Sequence, residues 1–401
     1  MVQRSLQLYR DSFSGLSKEV WSLSGVMLIN RAGTMVLPFL SVYLTQQLGF
    51  SLGQAGWVMS FFGAGSVLGA YLGGQLTDRI GFYETQFWSL FLSGFCFIAI
   101  WYVQSFYAVC AVVFLASTVA DAFRPAGFAA VAAYSHEGNR TRAIALLRLA
   151  INLGWAVGPA VGGLLAASYG YGWLFWVDGL TCIVAALFYR WILPAKQTER
   201  EEEEEKTVLG AQAYRDRTYL IFLVLVLINA LAFMQLFSTL PVYFKQEIGL
   251  HEGQIGRLMA MNGLLIAILE MPLIFVLERR YKIRQLIGIG TLLIGLAYLQ
   301  FYLFGPLVGA AVGCMLFLTV GEMLSLPFIS TLALRFTNDR NRGQYMALFT
   351  ITYSVSHILA PNIGFQVADR LGFSTLWISL LLLAVAGAVG FWQIRGNTGE
   401  T

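Results

Sequence analysis

Charge is scarce in this chain. Only 12% of its 401 residues are Asp, Glu, Lys or Arg, against about 25% in an ordinary soluble domain. Hydrophobic residues make up 57%, and mean hydropathy is +0.67. A soluble fold of this length has more surface than so few charges can cover. That excludes a soluble enzyme, a nucleic-acid binder and a disordered chain. The formal net charge of +4 is too small and too dispersed to form a nucleic-acid face. Histidine is limited to three residues, so a histidine-rich metal centre is not expected. Cys96, Cys110, Cys182 and Cys314 all fall inside apolar runs, where cysteine acts as a small hydrophobe and not as part of a disulfide or metal framework. No P-loop, no H-E-x-x-H and no nucleophile–base pair is present, so neither an enzyme nor a cofactor is implied. The first twenty residues lack the apolar core of a cleavable signal peptide, and the first span is expected to serve as an uncleaved insertion signal.

What the chain does have is long apolar runs. One membrane crossing takes about 20 apolar residues. Twelve candidate spans are read at 20–45, 54–77, 86–104, 106–134, 141–168, 172–193, 218–244, 253–277, 284–303, 306–335, 342–368 and 372–394. They are too long and too continuously apolar for β-barrel strands, which are roughly ten residues of alternating polarity. The expected fold class is an all-α membrane protein of twelve transmembrane helices. Lys and Arg crowd alternate loops: Arg4, Arg10 and Lys18 before the first span, Arg79 after the second, then Arg140 and Arg142, then Lys196 to Arg217, Arg279 to Arg284, Arg335 to Arg342, and Arg395. The positive-inside rule then predicts both termini in the cytoplasm. The one long connection carries the acidic run Glu201–Glu205 and reads as a solvated linker.

The chain repeats itself without gaps. Residues 48–63, LGFSLGQAGWVMSFFG, align with 248–263, IGLHEGQIGRLMAMNG, so Gly49, Gly53, Gln54, Gly56, Met59 and Gly63 each recur two hundred positions on. Asp78-Arg79 faces Glu278-Arg279 at the same offset, and at an offset of 202 Pro125 faces Pro327, Pro159 faces Pro361 and Gly170 faces Gly372. Two pseudo-symmetric six-helix bundles are therefore expected, at 1–193 and 218–401, joined by the linker 194–217. Because six is even, both halves enter from the same side. Parallel repeats of this kind place a substrate site near the bilayer midplane.

Two motifs follow. Gly74-Gln75-Leu76-Thr77-Asp78-Arg79-Ile80-Gly81 after the second span fits G-x-L-x-D-[RK]-x-G, although Phe82-Tyr83 stand where a basic pair would complete it. Gly154 to Gly163 in the fifth span fits G-x-x-x-G-P-x-x-G-G, with Gly154, Gly158 and Gly162 on one helix face, Pro159 bending the helix, and Gly163 closing the pattern. On these residues the chain resembles the major facilitator superfamily over essentially its whole length, and the second motif resembles that of its drug/proton antiporter branch. The resemblance implies a secondary transporter working by alternating access. It also implies that Gly74, Asp78, Arg79 and Gly81 form a cytoplasmic gate, with Asp78 latching a helix end near Arg342-Gly343-Gln344 and Gly73 and Gly74 allowing close helix approach.

Ionisable residues inside the spans cost about 2.5–3.5 kcal/mol or more each and mark functional positions. Arg31 follows Asn30 in the first span, Asp121 and Arg124 share a face of the fourth, Asn229 and Gln235 lie in the seventh, and Glu322 lies in the tenth. The resemblance assigns spans 1, 4, 7 and 10 to the cavity, so Asn30, Arg31, Arg124, Asn229 and Gln235 are its expected lining. Burial favours the neutral form of a carboxyl, which makes Glu322 the first proton carrier and Asp121 the second. Arg31 keeps its charge and suits an anionic group or a switching partner for Asp121. Glu270 and Asp178 are weaker candidates, Asp178 as a cap on its own span, and His357 reads as a packing residue. The expected activity is proton-coupled export of small amphipathic molecules. Proton-coupled symport of an anionic or zwitterionic solute such as a peptide is the alternative. Expected partners are the small-molecule substrate, protons and the lipid bilayer. A monomer in a bacterial inner membrane is the expected setting.

Overall fold

The computed structural model describes residues 16–135, 140–196, 213–278, 280–337 and 342–394. The acidic run 201–205 lies outside them, as do Arg4, Arg10, Arg279 and Arg395. Among the described residues every element is helical: α1 (Lys18–Ala32), α2 (Val36–Gln46), α3 (Leu52–Ile80), α4 (Phe82–Trp101), α5 (Phe106–Asp121), α6 (Phe123–Tyr134), α7 (Arg140–Tyr169), α8 (Gly172–Ile192), α9 (Arg217–Phe233), a 3-10 turn (Met234–Phe237), α10 (Thr239–Gln246), α11 (Glu252–Leu277), α12 (Ile283–Phe304), α13 (Val308–Arg335), α14 (Arg342–Leu371) and α15 (Phe373–Gln393). This is the all-α membrane architecture. Ten helical stretches among the described residues are long and apolar enough to cross a bilayer. The third and eleventh expected spans, α4 and α14, are also long helices at 20 and 30 residues, but they are more polar. Glu84 and Gln86 open α4, and α14 carries Arg342, His357, Asn362, Asp369 and Arg370.

Spans 1, 4 and 7 are broken, which no run of apolar letters announces. Span 1 divides into α1 and α2 around Gly33-Thr34-Met35. Span 4 divides into α5 and α6 at Ala122, because Pro125 has no N–H to return to the carbonyl four residues earlier, at Asp121. Span 7 passes through the 3-10 turn into α10. The matching Pro327 is accommodated inside an unbroken α13, and Pro159 inside an unbroken α7.

The repeat extends to the hydrogen bonds. Gln47 and Leu48 N–H donate to Tyr43 O (2.9 and 3.2 Å) and Phe50 N–H to Leu44 O (3.0 Å). Two hundred residues on, Glu247 and Ile248 donate to Tyr243 O (2.9 and 3.3 Å) and Leu250 to Phe244 O (2.9 Å). The glycine in each turn is left-handed, with φ +67° at Gly49 and +76° at Gly249. Only glycine adopts that conformation without a steric penalty. Gly170 and Gly372 form a second such pair at +88° and +83°. Gln54 and Gln254 both turn back to accept the N–H at the start of their helices, from Ser51 (3.0 Å) and His251 (2.9 Å).

The chain forms two compact units. One comprises 1–36 with 64–200, the other 37–63 with 201–401. The repeat divides the chain at the linker, whereas packing groups residues 37–63 with the later half. In the first unit Val20, Leu23, Phe82, Phe123, Leu146, Ala185 and Tyr189 form a buried core. In the second, Tyr219, Phe222, Leu286, Phe328, Tyr345 and Phe391 form its counterpart. Within that second unit Ser41 Oγ donates to Ser238 O (2.9 Å) and Ser60 Oγ to Ile358 O (2.7 Å), while Gly56 and Gly63 lie against the backbone of α14. Large apolar side chains are widely exposed, with Tyr107 at 84% and Trp191 at 82% near helix ends, as in a bilayer-facing surface with interfacial aromatics.

Candidate functional site

The break in span 1 leaves two backbone N–H groups without helical partners. Met35 and Val36 both donate to Asp178 Oδ2 (3.1 and 3.0 Å), and Asp178 is 2% exposed. Asp178 therefore caps α2, not its own helix. It is a structural carboxylate held at a helix N-terminus, where the dipole favours negative charge. The hydroxyl of Thr181 and the thiol of Cys182 lie beside it, and Asn30 Nδ2 points to Cys182 Sγ (3.6 Å).

Arg31 sits on the α1 side of this break. Its Nε is buried with no hydrogen-bond partner among the described residues, and it lies within electrostatic reach of Asp121, Arg124 and Asp178. Asp121 ends α5 and pairs with Arg124 at 3.0 Å, the two side chains being 14% and 54% exposed. Ser66 of α3 donates a hydrogen bond to the other carboxylate oxygen of Asp121. The structure thus gathers Asn30, Arg31, Asp121 and Arg124 in one unit, around the breaks in spans 1 and 4.

The span 5 glycines explain how α1 and α2 can break so close to α7. A Cβ on Gly154 would meet Arg31 C and Ala32 N at 2.8 and 2.9 Å. One on Gly158 would meet Thr34 O at 2.8 Å, and one on Gly162 would meet Met35 Cβ at 2.9 Å. The stripe is a bed for residues 31–35. Gly163 and Pro159 are buried in the same helix.

In the second unit Glu322 of α13 is half-buried, and Asn262 of α11 donates to its Oε2 at 3.2 Å. The same amide donates to Thr319 Oγ1 at 3.0 Å, and Glu270 is within electrostatic reach. Glu322 makes no ion pair among the described residues, in contrast to Asp121. Asn262 was not apparent from the sequence, where it is one amide in an apolar run. Asn229 and Gln235 are fully packed. Asn229 Nδ2 donates to Thr291 Oγ1 (2.9 Å), and Gln235 Nε2 donates to Ala360 O (2.9 Å) while its oxygen accepts from Thr239 (2.8 Å). Gln235 thereby ties the broken part of span 7 to α14. His357 Nδ1 lies 2.8 Å from Tyr353 O.

In the loop motif, Asp78 and Arg79 are exposed on the last turn of α3, and Gly81 turns the chain into α4 with φ +86°. Gly73 lies against the Ala122 backbone, but a Cβ on Gly74 would meet nothing within 4 Å, so Gly73 alone makes the close approach. Gly65 and Gly69 extend that stripe, facing the carbonyls of Phe114 and Thr118. The i, i+4, i+8 spacing of Gly65, Gly69 and Gly73 was a readable signal that the motif alone did not single out.

The Major Facilitator Superfamily model matches residues 23–361. The chain belongs to the Major Facilitator Superfamily. It is 26% identical over 406 residues to a Na(+), Li(+), K(+)/H(+) antiporter of Planococcus maritimus, covering 93% of this chain and 95% of that one. It is 22% identical over 378 residues to the multidrug resistance protein MdtH of Yersinia enterocolitica, covering 92% of each. Among solved structures it is similar to a peptide transporter POT in complex with sulfate, with a TM-score of 0.78 at 16% identity over 94% of this chain and 95% of that one. That likeness shows the fold. The chain is an integral multi-pass membrane transporter, not an enzyme, and its family implies a small-molecule substrate.

Proposed function

We propose that this transporter exports small amphipathic molecules in exchange for protons, by alternating access, with Glu322 as the proton carrier. The carrying observation is the contrast between two of its intramembrane carboxylates, Asp121 and Glu322. Asp121 pairs with Arg124, with Arg31 within electrostatic reach, whereas Glu322 meets, among the described residues, the neutral donor Asn262 and the acid Glu270. A carboxyl without a cationic partner in apolar surroundings is the one that can gain and lose a proton. The antiporter and multidrug names of the relatives support this direction. The twelve-span count, the cytoplasmic termini, the linker at 194–217, the gate role of Gly74, Asp78, Arg79 and Gly81, a monomeric state and a bacterial inner membrane belong to the same proposal.

A second reading is proton-coupled symport of an anionic or zwitterionic solute. Arg31, whose Nε has no hydrogen-bond partner among the described residues, and Arg124, 54% exposed beside Asp121, favour it as groups that can hold an anion. Proton flux in proteoliposomes under an imposed pH gradient separates the two. Gradient collapse on adding cationic dyes, in wild type but not in Glu322→Gln, is the antiport outcome. Proton movement in the same direction as added peptides or organic anions overturns export and selects symport. Equal flux in both proteins removes Glu322 as the carrier.

A further inference from the structure

A cavity of about 440 Å³ lies at the start of α12, lined by Tyr281, Lys282, Arg284, Gln285, Ile289 and Trp392. Its composition is ordered from polar to apolar. Lys282 and Arg284 supply two positive charges at the rim. Tyr281 (51% exposed) and Trp392 (45%) supply amphipathic rings, and Ile289 (40%) opens the apolar side one and a half turns further into the span. Arg284 is not loose, since its Nη1 donates to Ile394 O just beyond the end of α15. Trp392 is equally fixed: its Nε1 donates to Gln285 O (3.5 Å), and its ring lies where a Cβ on Gly288 would stand. Gly288 therefore lets the indole lie against α12 and form a wall.

The corresponding corner of the first half is built differently. At the offsets of the repeat, Arg190 stands where Trp392 does and Glu84 where Arg284 does. There Arg190 pairs with Glu84 at 3.3 Å and covers the Phe87 ring at 4.6 Å, so charge is matched by charge. In the second half the acid has become Arg284 and the base has become Trp392. The described lining of the cavity contains no carboxylate.

We propose that this cavity binds an anionic phospholipid of the cytoplasmic leaflet. Its phosphate would sit between Lys282 and Arg284, its glycerol region against Tyr281 and Trp392, and an acyl chain along Ile289. The chemistry is that of basic pockets on the cytoplasmic side of membrane helices, which take anionic head groups, with aromatic rings at headgroup depth. A free anion would use the two cations but would leave the aromatic wall and the exposed isoleucine unexplained. A lipid uses all of them. The inference rests on the membrane setting of the chain and on the proposed cytoplasmic placement of the start of α12, but on neither the substrate nor the coupling ion, so failure of the transport reading leaves it standing.

The test uses the purified full-length protein in detergent with phosphatidylglycerol or phosphatidylcholine of the same acyl chains. Retained lipid is counted by native mass spectrometry, and quenching of Trp392 by bromine-labelled lipid is measured against a Trp392→Phe control. Wild type retains phosphatidylglycerol in preference to phosphatidylcholine and shows Trp392 quenching. Lys282→Gln lowers the preference roughly fivefold, the amount expected per cation near an anionic surface, and adding Arg284→Gln lowers it further. If the double variant fails to fold because α15 loses its Arg284 contact, Lys282→Gln and Lys282→Glu carry the test. Equal retention of the two lipids by wild type overturns the proposal. So does an unchanged preference in the Lys282 variants, or displacement of the lipid by millimolar inorganic phosphate.

Discussion

Replacing Asp178 by alanine should damage this protein more than any other single loss of a polar side chain in its first unit. Asp178 Oδ2 accepts two bonds, from the N–H groups of Met35 and Val36, at the one place where span 1 has no helical acceptor to offer them. In a span there is no water to take over. Leaving a buried donor unsatisfied costs about 1–3 kcal/mol, so two donors cost about 2–6 kcal/mol. Asp178→Asn keeps an oxygen of the same reach and loses only the charge assistance, which about halves each bond. Its expected cost is about 1–2 kcal/mol. Unfolding of purified protein in a denaturing-detergent titration, followed by tryptophan fluorescence, measures both. An alanine variant within about 0.5 kcal/mol of wild type, or an asparagine variant as damaged as the alanine one, would falsify the assignment of Asp178 as the cap of α2.

Other substitutions separate steric from conformational roles. Gly154→Ala drives a methyl group into the Arg31–Ala32 backbone and is expected to cost about 1–3 kcal/mol. Gly74→Ala meets open space in a helix and is expected to be neutral or to gain up to about 1 kcal/mol. Similar effects of the two in the same titration would show that the stripe is not a packing surface. Gly249→Ala must adopt φ +76° with nothing to collide with, so its cost is conformational alone, about 1–2 kcal/mol. A thermal melt unchanged from wild type would contradict it. Asp121→Asn keeps the Ser66 contact but leaves Arg124 without its ion-pair partner and Arg31 with Asp178 as the one carboxylate within electrostatic reach among the described residues. The ratio of organic-cation to organic-anion transport should fall, and an unchanged ratio would remove this cluster from substrate selection.

The spans, the repeat and both motifs were legible in the letters because each rests on local periodicity or on small residues at fixed spacing. The breaks in spans 1, 4 and 7 were not, since an apolar run reads alike whether its backbone is continuous or interrupted. Pro125 and Pro327 occupy matching places, yet only the first divides a helix. The role of Asp178 was hidden for another reason. Its partners lie more than 140 residues away in the chain, and nothing local distinguishes a carboxylate that caps another span from one that caps its own. From the sequence Asn262, a lone amide in an apolar run, draws no reading, whereas Asn229, also a lone amide, reads as cavity lining. Their contacts separate them, one holding Glu322 and the other buried against Thr291.

The two-residue change in the repeat offset has a place in the fold. α4 has 20 residues and its counterpart α12 has 22. At about 1.5 Å per residue the later helix is roughly 3 Å longer. One bilayer must accommodate both, so the extra length is taken up by tilt or by local thickening, at fractions of a kcal/mol per ångström of mismatch. Thickening or thinning the membrane therefore acts unequally on α4 and α12. The difference runs the other way between α3, with 29 residues, and its counterpart α11, with 26, so the duplicated plan gives each pair of matching helices its own mismatch with the host membrane.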